Sequence, residues 1–285
     1  MLSGVVCRLL VSLCKFGLKG KDLVNYIQKG SGDYLVLVHG ALTDSSMWLP
    51  HIQYLASDFD VIAVSLRHFE QPDEGGFGLN THAADLAKLL SDLPENKPIN
   101  IVGWSYGADV VLNMLVSEPL PLSSVFLYEP GYPGCLAEKD MEIWQQDANM
   151  MFGSVFAHYS AGNLELAVES LIDGSGNHPG YFAAQEPAVK ALQLAKAYTL
   201  AHQLNQQEQP AIEPSAVTEI STPMVVGYGA ETRDIFRLVA KSTAQLAKIA
   251  DIEVISGENH MLPQEKPELF SALVKRIFKR DEQSV

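Results

Sequence analysis

The sequence predicts an α/β fold, a mostly parallel, doubly wound sheet with an inserted helical cap. Three observations lead there. Short apolar runs without polar alternation recur along the chain, as strands buried on both faces of a parallel sheet require. Helical patterns lie between those runs. One long interval, residues 130–223, interrupts the alternation.

Each element carries its own signal. Residues 34–38 (YLVLV) form the first buried run, between Gly30-Ser31-Gly32 and His39-Gly40. Residues 61–64, 99–102, 125–128, 224–227 and 252–255 repeat the pattern. Over 81–93, Ala83, Leu86, Ala87, Leu89 and Leu90 fall at helical spacing, with Thr81 as the expected N-cap. Residues 238–250 and 267–279 read as helices in the same way. A structureless connection as long as 130–223 would be exceptional, and helical patterns at 139–156, 164–172 and 187–204 fill it. The expected organisation is an N-terminal amphipathic segment over 1–24, a sheet domain over 25–130 and 223–285, and a helical cap over 131–222.

Composition removes several function classes. The 285 residues include 34 acids and 20 bases, a formal charge of −14, which argues against nucleic-acid binding because phosphate neutralisation needs a basic stripe. With 47% hydrophobic and 19% charged residues the chain has a globular balance. Cys7, Cys14 and Cys135 cannot build a disulfide framework, so a reducing, cytoplasmic setting is expected. No uncharged apolar run is long enough to span a bilayer. Residues 1–21 hold no acid but carry Arg8, Lys15, Lys19 and Lys21. As a helix this segment would align Val6, Leu9, Leu10, Leu13 and Phe16. Three readings stay open for it: contact with a membrane surface, a transit peptide, or docking as a helix or strand on this chain or on a second copy in a homodimer.

The chemistry begins at Gly103-Trp104-Ser105-Tyr106-Gly107, a G-x-S-x-G placed directly after the run 99–102 and before the helical run 108–116. A serine on a tight strand-to-helix turn is lifted clear of the sheet beside a helix N-terminus, and glycines two positions away on either side leave room for that turn. Ser105 is the expected nucleophile. Metal chemistry has no support in the spacing, since no His-x-x-x-His is present, and Gly75-Gly76-Phe77-Gly78 has neither the strand nor the lysine of a phosphate loop.

With this motif in place, the chain after residue 25 resembles the α/β-hydrolase superfamily. His39-Gly40-Ala41, after the first buried run, is similar to that family's oxyanion loop. The resemblance implies an oxyanion hole made by the backbone N–H groups of Tyr106 and Ala41, with Gly40 as the alternative loop donor and His39 a structural residue. The family order of nucleophile, acid and histidine points to His260, in Gly257-Glu258-Asn259-His260 after the last strand, as the base. The acid departs from the common pattern. Where most relatives carry Asp, this chain has Thr232, with Glu231 and Asp234 nearby. Certain relatives, zearalenone lactonases among them, take a Glu about two dozen residues beyond the nucleophile. Glu129 matches that spacing and is preferred over Glu231 and Asp234.

Trp104, Trp48 and Trp144 are expected in the substrate pocket, together with Met47 and the cap residues Met150, Met151, Phe152, Phe156 and Tyr159. An apolar pocket suits an uncharged small-molecule substrate. The expected function is therefore serine hydrolysis of an ester or lactone through an acyl-enzyme, with no cofactor and no metal. A C–C bond hydrolase on the same scaffold and a non-catalytic ligand-binding protein are the alternatives.

Overall fold

The structure, a computed structural model, describes residues 15–17 and 24–279. Eight strands form one sheet: β1 (Lys15–Gly17), β2 (Asn25–Gly30), β3 (Asp33–Val38), β4 (Phe59–Ser65), β5 (Ile99–Trp104), β6 (Ser124–Tyr128), β7 (Met224–Gly229) and β8 (Ala250–Ile255). Their order is β1-β2-β4-β3-β5-β6-β7-β8. The pairings β1–β2 and β2–β4 are antiparallel, and every later pairing is parallel. The six apolar runs are strands β3 to β8. Strand β2, whose Asn25-Tyr26-Ile27-Gln28-Lys29 mixes polar and apolar residues near the sheet edge, carries no such run. The N-terminal segment, expected as a helix or a strand, lies mostly outside the described residues; Lys15–Gly17, the part within them, is a strand paired with β2.

Side-chain alternation along the strands divides the core into two layers. Val36, Val38, Ile62, Val64, Ile101, Val125 and Leu127 face one side. There they meet helices α2 (Leu79–Ser91), α3 (Tyr106–Ser117) and α8 (Asp234–Leu246). Leu35, Leu37, Val61, Ala63, Val102 and Phe126 face the other. That side is covered by α1 (Leu49–Leu55) and α9 (Pro267–Phe278). One expectation fails at the edge: among the described residues β8 is the terminal strand, and one of its faces is left open, with Ile252 and Val254 46% and 47% exposed.

Between β6 and β7 the regular structure is entirely helical. Helices α4 (Glu138–Ser160), α5 (Leu164–Ser175), α6 (Pro187–Ala195) and α7 (Leu200–Asn205) make the cap layer. Met151 and Val155 of α4 pack with Val168, Leu171 and Ile172 of α5. The single helix expected over 187–204 is broken at Lys196. The ammonium of Lys196 is drawn into an ion pair with Asp44 (2.5 Å) and a bond to the Glu70 carbonyl (2.9 Å), so a tertiary contact overrides helical continuity. Thr81 is likewise not an N-cap. Helix α2 starts two residues earlier, and Glu208 from the cap accepts the amides of Asn80 (2.7 Å) and Thr81 (3.1 Å) at its first turn.

Candidate active site

Ser105 stands between β5 and α3 with φ 56° and ψ −126°. These are angles that a residue bearing a Cβ adopts only when its surroundings hold it there. Here they do. The Ser105 amide donates to the Tyr128 carbonyl (3.0 Å), and its carbonyl accepts from Ala108 (2.8 Å) and Asp109 (3.1 Å). A Cβ on Gly107 would lie 2.4 Å from the His39 carbonyl oxygen, and one on Gly103 would lie 2.8 Å from Ala108 Cα. The motif's glycines thus let the turn press against both its own helix and the loop after β3.

His260 joins the serine from the far end of the chain. Its Nε2 lies 2.8 Å from Ser105 Oγ, and its Nδ1 lies 2.7 Å from Glu129 Oε2. An ionised carboxylate only accepts, so Nδ1 carries the proton and Nε2 is free to accept from the serine hydroxyl. The ring is clamped on several sides. Phe236 stacks on it at 3.7 Å, Trp104 Nε1 donates to the His260 carbonyl (2.9 Å), and Tyr128 OH donates to the preceding Asn259 carbonyl (2.8 Å).

Glu129 is fully buried, at the end of β6, with φ 54°. Its Oε1 accepts from the Gly229 amide (2.7 Å) and its Oε2 from Thr232 Oγ1 (2.6 Å) as well as from His260. Thr232 therefore occupies the place where an acid was sought and serves the acid instead. The other two carboxylates considered for the role are elsewhere. Asp234 pairs with Arg237 on the same helix, and Glu231 is exposed, with no hydrogen bond between its carboxylate and His260.

The proposed oxyanion groups lie beside the nucleophile, with Ala41 and Tyr106 lining the same cavity as Ser105. A Cβ on Gly40 would come 3.0 Å from Ser105 Cβ, so the His39-Gly40-Ala41 loop passes directly over the nucleophile. Tyr106 occupies the first helical position of α3, where an amide has no intrahelical acceptor. His39 has a structural part: its Nε2 accepts from the Leu66 amide (3.1 Å), so Nδ1 donates to the Gly40 carbonyl (2.8 Å). Burial pushes its pKa down to about 4, keeping it neutral.

Ser105, Tyr106, Ala41 and His260 line a cavity of about 400 Å³ roofed by the cap. Trp104, Trp144, Met151 and Phe152 are in its wall. Trp48 is not: it is fully buried in the core layer under α1 and α9, edge-on to His51 and against Phe270. Met47 is absent from the wall, and Met150 and Phe156 face outward, 70% and 48% exposed. Sequence reasoning missed Phe236, Thr232 and Asp109. For Asp109 a signal existed, a lone acid in the otherwise apolar run from Ala108 to Leu112. Among the described residues no group of three or more His, Cys, Asp or Glu side chains is placed to hold a metal ion.

Fold and site together define an α/β hydrolase. A sequence model of the Alpha/beta hydrolase family matches residues 35–273, and the chain belongs to that family. Among curated relatives, the 2-(acetamidomethylene)succinate hydrolase of Mesorhizobium japonicum is 24% identical over 258 residues, 88% of this chain and 89% of that protein. A match to a nonribosomal peptide synthetase of Aspergillus flavus, 29% identical over 129 residues, covers 42% of this chain and only 2% of that protein. Among solved structures, an esterase from Rhodococcus sp. ECU1013 superposes with a TM-score of 0.72 at 19% identity, over 94% of this chain and 99% of that one. Hydrolase activity is the family's coarse signature. No helix among the described residues is long and apolar enough to cross a membrane.

Proposed function

We propose that the chain is a serine hydrolase that cleaves an ester or lactone bond of a largely apolar small molecule through an acyl-enzyme. The observation that carries this reading is the unbroken line Ser105 Oγ, His260, Glu129 at the wall of an apolar cavity. Ser105 Oγ attacks the carbonyl carbon as His260 Nε2 takes its proton. Glu129 holds the imidazole tautomer and stabilises the imidazolium, and the amides of Tyr106 and Ala41 receive the developing oxyanion. Collapse breaks the bond to the alcohol oxygen, which leaves with the proton from His260. A water then gives its proton to His260 and attacks the acyl carbon, releasing the acid and restoring the Ser105 hydroxyl. No step calls on a cofactor. The Rhodococcus relative's description as an esterase supports the same bond class.

The test is hydrolysis of p-nitrophenyl butyrate and of a δ-lactone by the purified chain and by Ser105→Ala. The reading expects turnover that falls by roughly a thousandfold or more in the variant. Turnover surviving in Ser105→Ala, or absent from the wild type on every ester and lactone tried, would sink it. Product analysis that shows a C–C bond broken would move the chain to the alternative chemistry on the same triad.

A further inference from the structure

One buried ionisable group in the cavity has no part in that mechanism. Asp109 sits one helical turn beyond Ser105 on α3 and is 8% exposed, its open surface lying on the cavity. Its Oδ1 accepts two backbone amides, from Gly131 (2.9 Å) and Tyr132 (3.0 Å), whereas Oδ2 has no hydrogen-bond partner among the described residues. The two amides occupy the lone pairs of Oδ1, so any proton the carboxyl holds is on Oδ2. Several features favour its neutral form. Among the described residues no Lys or Arg lines the cavity, and Asp109 is the one acid that does. The titratable groups facing it are Tyr106 on its own helix and Tyr132 and Cys135 on the segment after β6, all kept uncharged by burial. From α8 the neighbour at the Gly131 turn is the apolar ring of Phe236. Burial, opposed by the two amides, pushes the Asp109 pKa up to about 7.

We propose that Asp109 is a specificity-determining residue whose neutral carboxyl donates a hydrogen bond from Oδ2 to a second oxygen of the substrate. That oxygen, a carbonyl or hydroxyl, would lie within about one helical turn (~6 Å) of the scissile carbonyl. This deepens the reading of the site as an ester or lactone hydrolase: the substrate class becomes an oxygenated ester rather than a plain alkyl one. A turn-capping carboxylate would need no cavity-facing oxygen. A subsite for an ammonium group would call for an ionised acid, which burial without a cationic neighbour disfavours.

The probes are p-nitrophenyl 4-oxopentanoate and 5-oxohexanoate, each paired with its alkyl counterpart, the pentanoate or the hexanoate. Because both members of a pair use the same triad, any effect of pH on the triad cancels from their ratio of kcat/KM. The proposal expects that ratio, for at least one pair at pH 6, to exceed the value in Asp109→Ala by roughly five- to tenfold. The advantage should fade by pH 8 in the wild type. Asp109→Asn keeps an acceptor for the two amides and places an N–H at Oδ2, so it should retain the preference without the pH dependence. Calorimetric Kd values for the same pairs on Ser105→Ala separate this proposal from the hydrolase reading. A preference in Kd without turnover in the wild type overturns the hydrolysis and leaves Asp109 in place. Members of each pair that bind equally, or not at all, overturn the Asp109 assignment, as does a preference that Asp109→Ala retains or Asp109→Asn loses.

Discussion

The acid–base line at Ser105 depends on a residue that takes no proton in the reaction. Thr232 Oγ1 donates to the Glu129 oxygen that also receives His260 (2.6 and 2.7 Å), fixing the carboxylate plane against the ring. As a positioning residue, Thr232 predicts a distinct pattern: Thr232→Val lowers kcat roughly tenfold with KM nearly unchanged, and Thr232→Ser recovers most of the loss. Equal kinetics for wild type and Thr232→Val would remove it from the account. Glu129→Gln should cost far more, roughly a thousandfold in kcat, because the amide no longer stabilises the imidazolium. Ser105 and His260 were legible in the sequence because each is read from its immediate neighbours, a G-x-S-x-G turn and a loop after the last strand. The spacing of Glu129 from Ser105 was also readable. Thr232 was noticed only as a missing acid, since its role is a contact across 103 residues that no local pattern records. Trp48 shows the reverse error: nearness in sequence to the oxyanion loop does not bring a side chain to the cavity, and this one packs on His51 and Phe270 instead.

Two local features hold the elements around this site. Gly107 lets α3 lie against the end of β3: a Cβ there would be 2.4 Å from the His39 carbonyl oxygen and 2.6 Å from that of Val38, both backbone atoms that cannot rotate away. Gly107→Ala should therefore lower Tm by about 5 °C, as overpacking at this scale does, in a thermal melt followed by circular dichroism. An unchanged Tm would mean that the turn has slack the geometry does not show. The cap is tied at its return by Glu208, which accepts the first amides of α2 and so completes a helix that has no cap of its own. Glu208→Gln should cost about 1 kcal/mol and speed hydrogen exchange at Asn80 and Thr81. Unaltered exchange there would assign the tie to the Lys196–Asp44 pair alone. Strands β3 to β7 were readable because central parallel strands are apolar throughout, and β8 because its apolar run persists at the sheet edge. Strand β2 and the break at Lys196 were not, because one pairs near the sheet edge with a mixed pattern and the other follows from ion pairing between distant segments.

Across the whole molecule, buried ionisable groups make stability depend on pH in opposing directions. Burial lowers His39 to about 4 and His51 and His82 to about 3, against 6.5 in the unfolded chain. Between about pH 4 and 6.5 the unfolded state thus binds three protons that the folded state refuses, and stability falls as pH falls. Asp109 acts the other way: raised from 3.8 to about 7, it binds a proton in the folded state through the same window. The difference is about two protons, or roughly 2–3 kcal/mol per pH unit near pH 5. Asp109→Asn should steepen the dependence, and urea midpoints at pH 5 and 6 for both proteins would show it. A flat profile would contradict the burial of the three histidines. The cap and sheet together place an apolar cavity over one serine, and the account rests on that serine being activated. The most direct measurement is labelling with a fluorophosphonate followed by peptide mapping of wild type, Ser105→Ala and Glu129→Gln. The account predicts one adduct per chain on the Ser105 peptide, none in Ser105→Ala, and much slower labelling in Glu129→Gln. Folded wild-type protein that takes no label, or takes it on another residue, would contradict it.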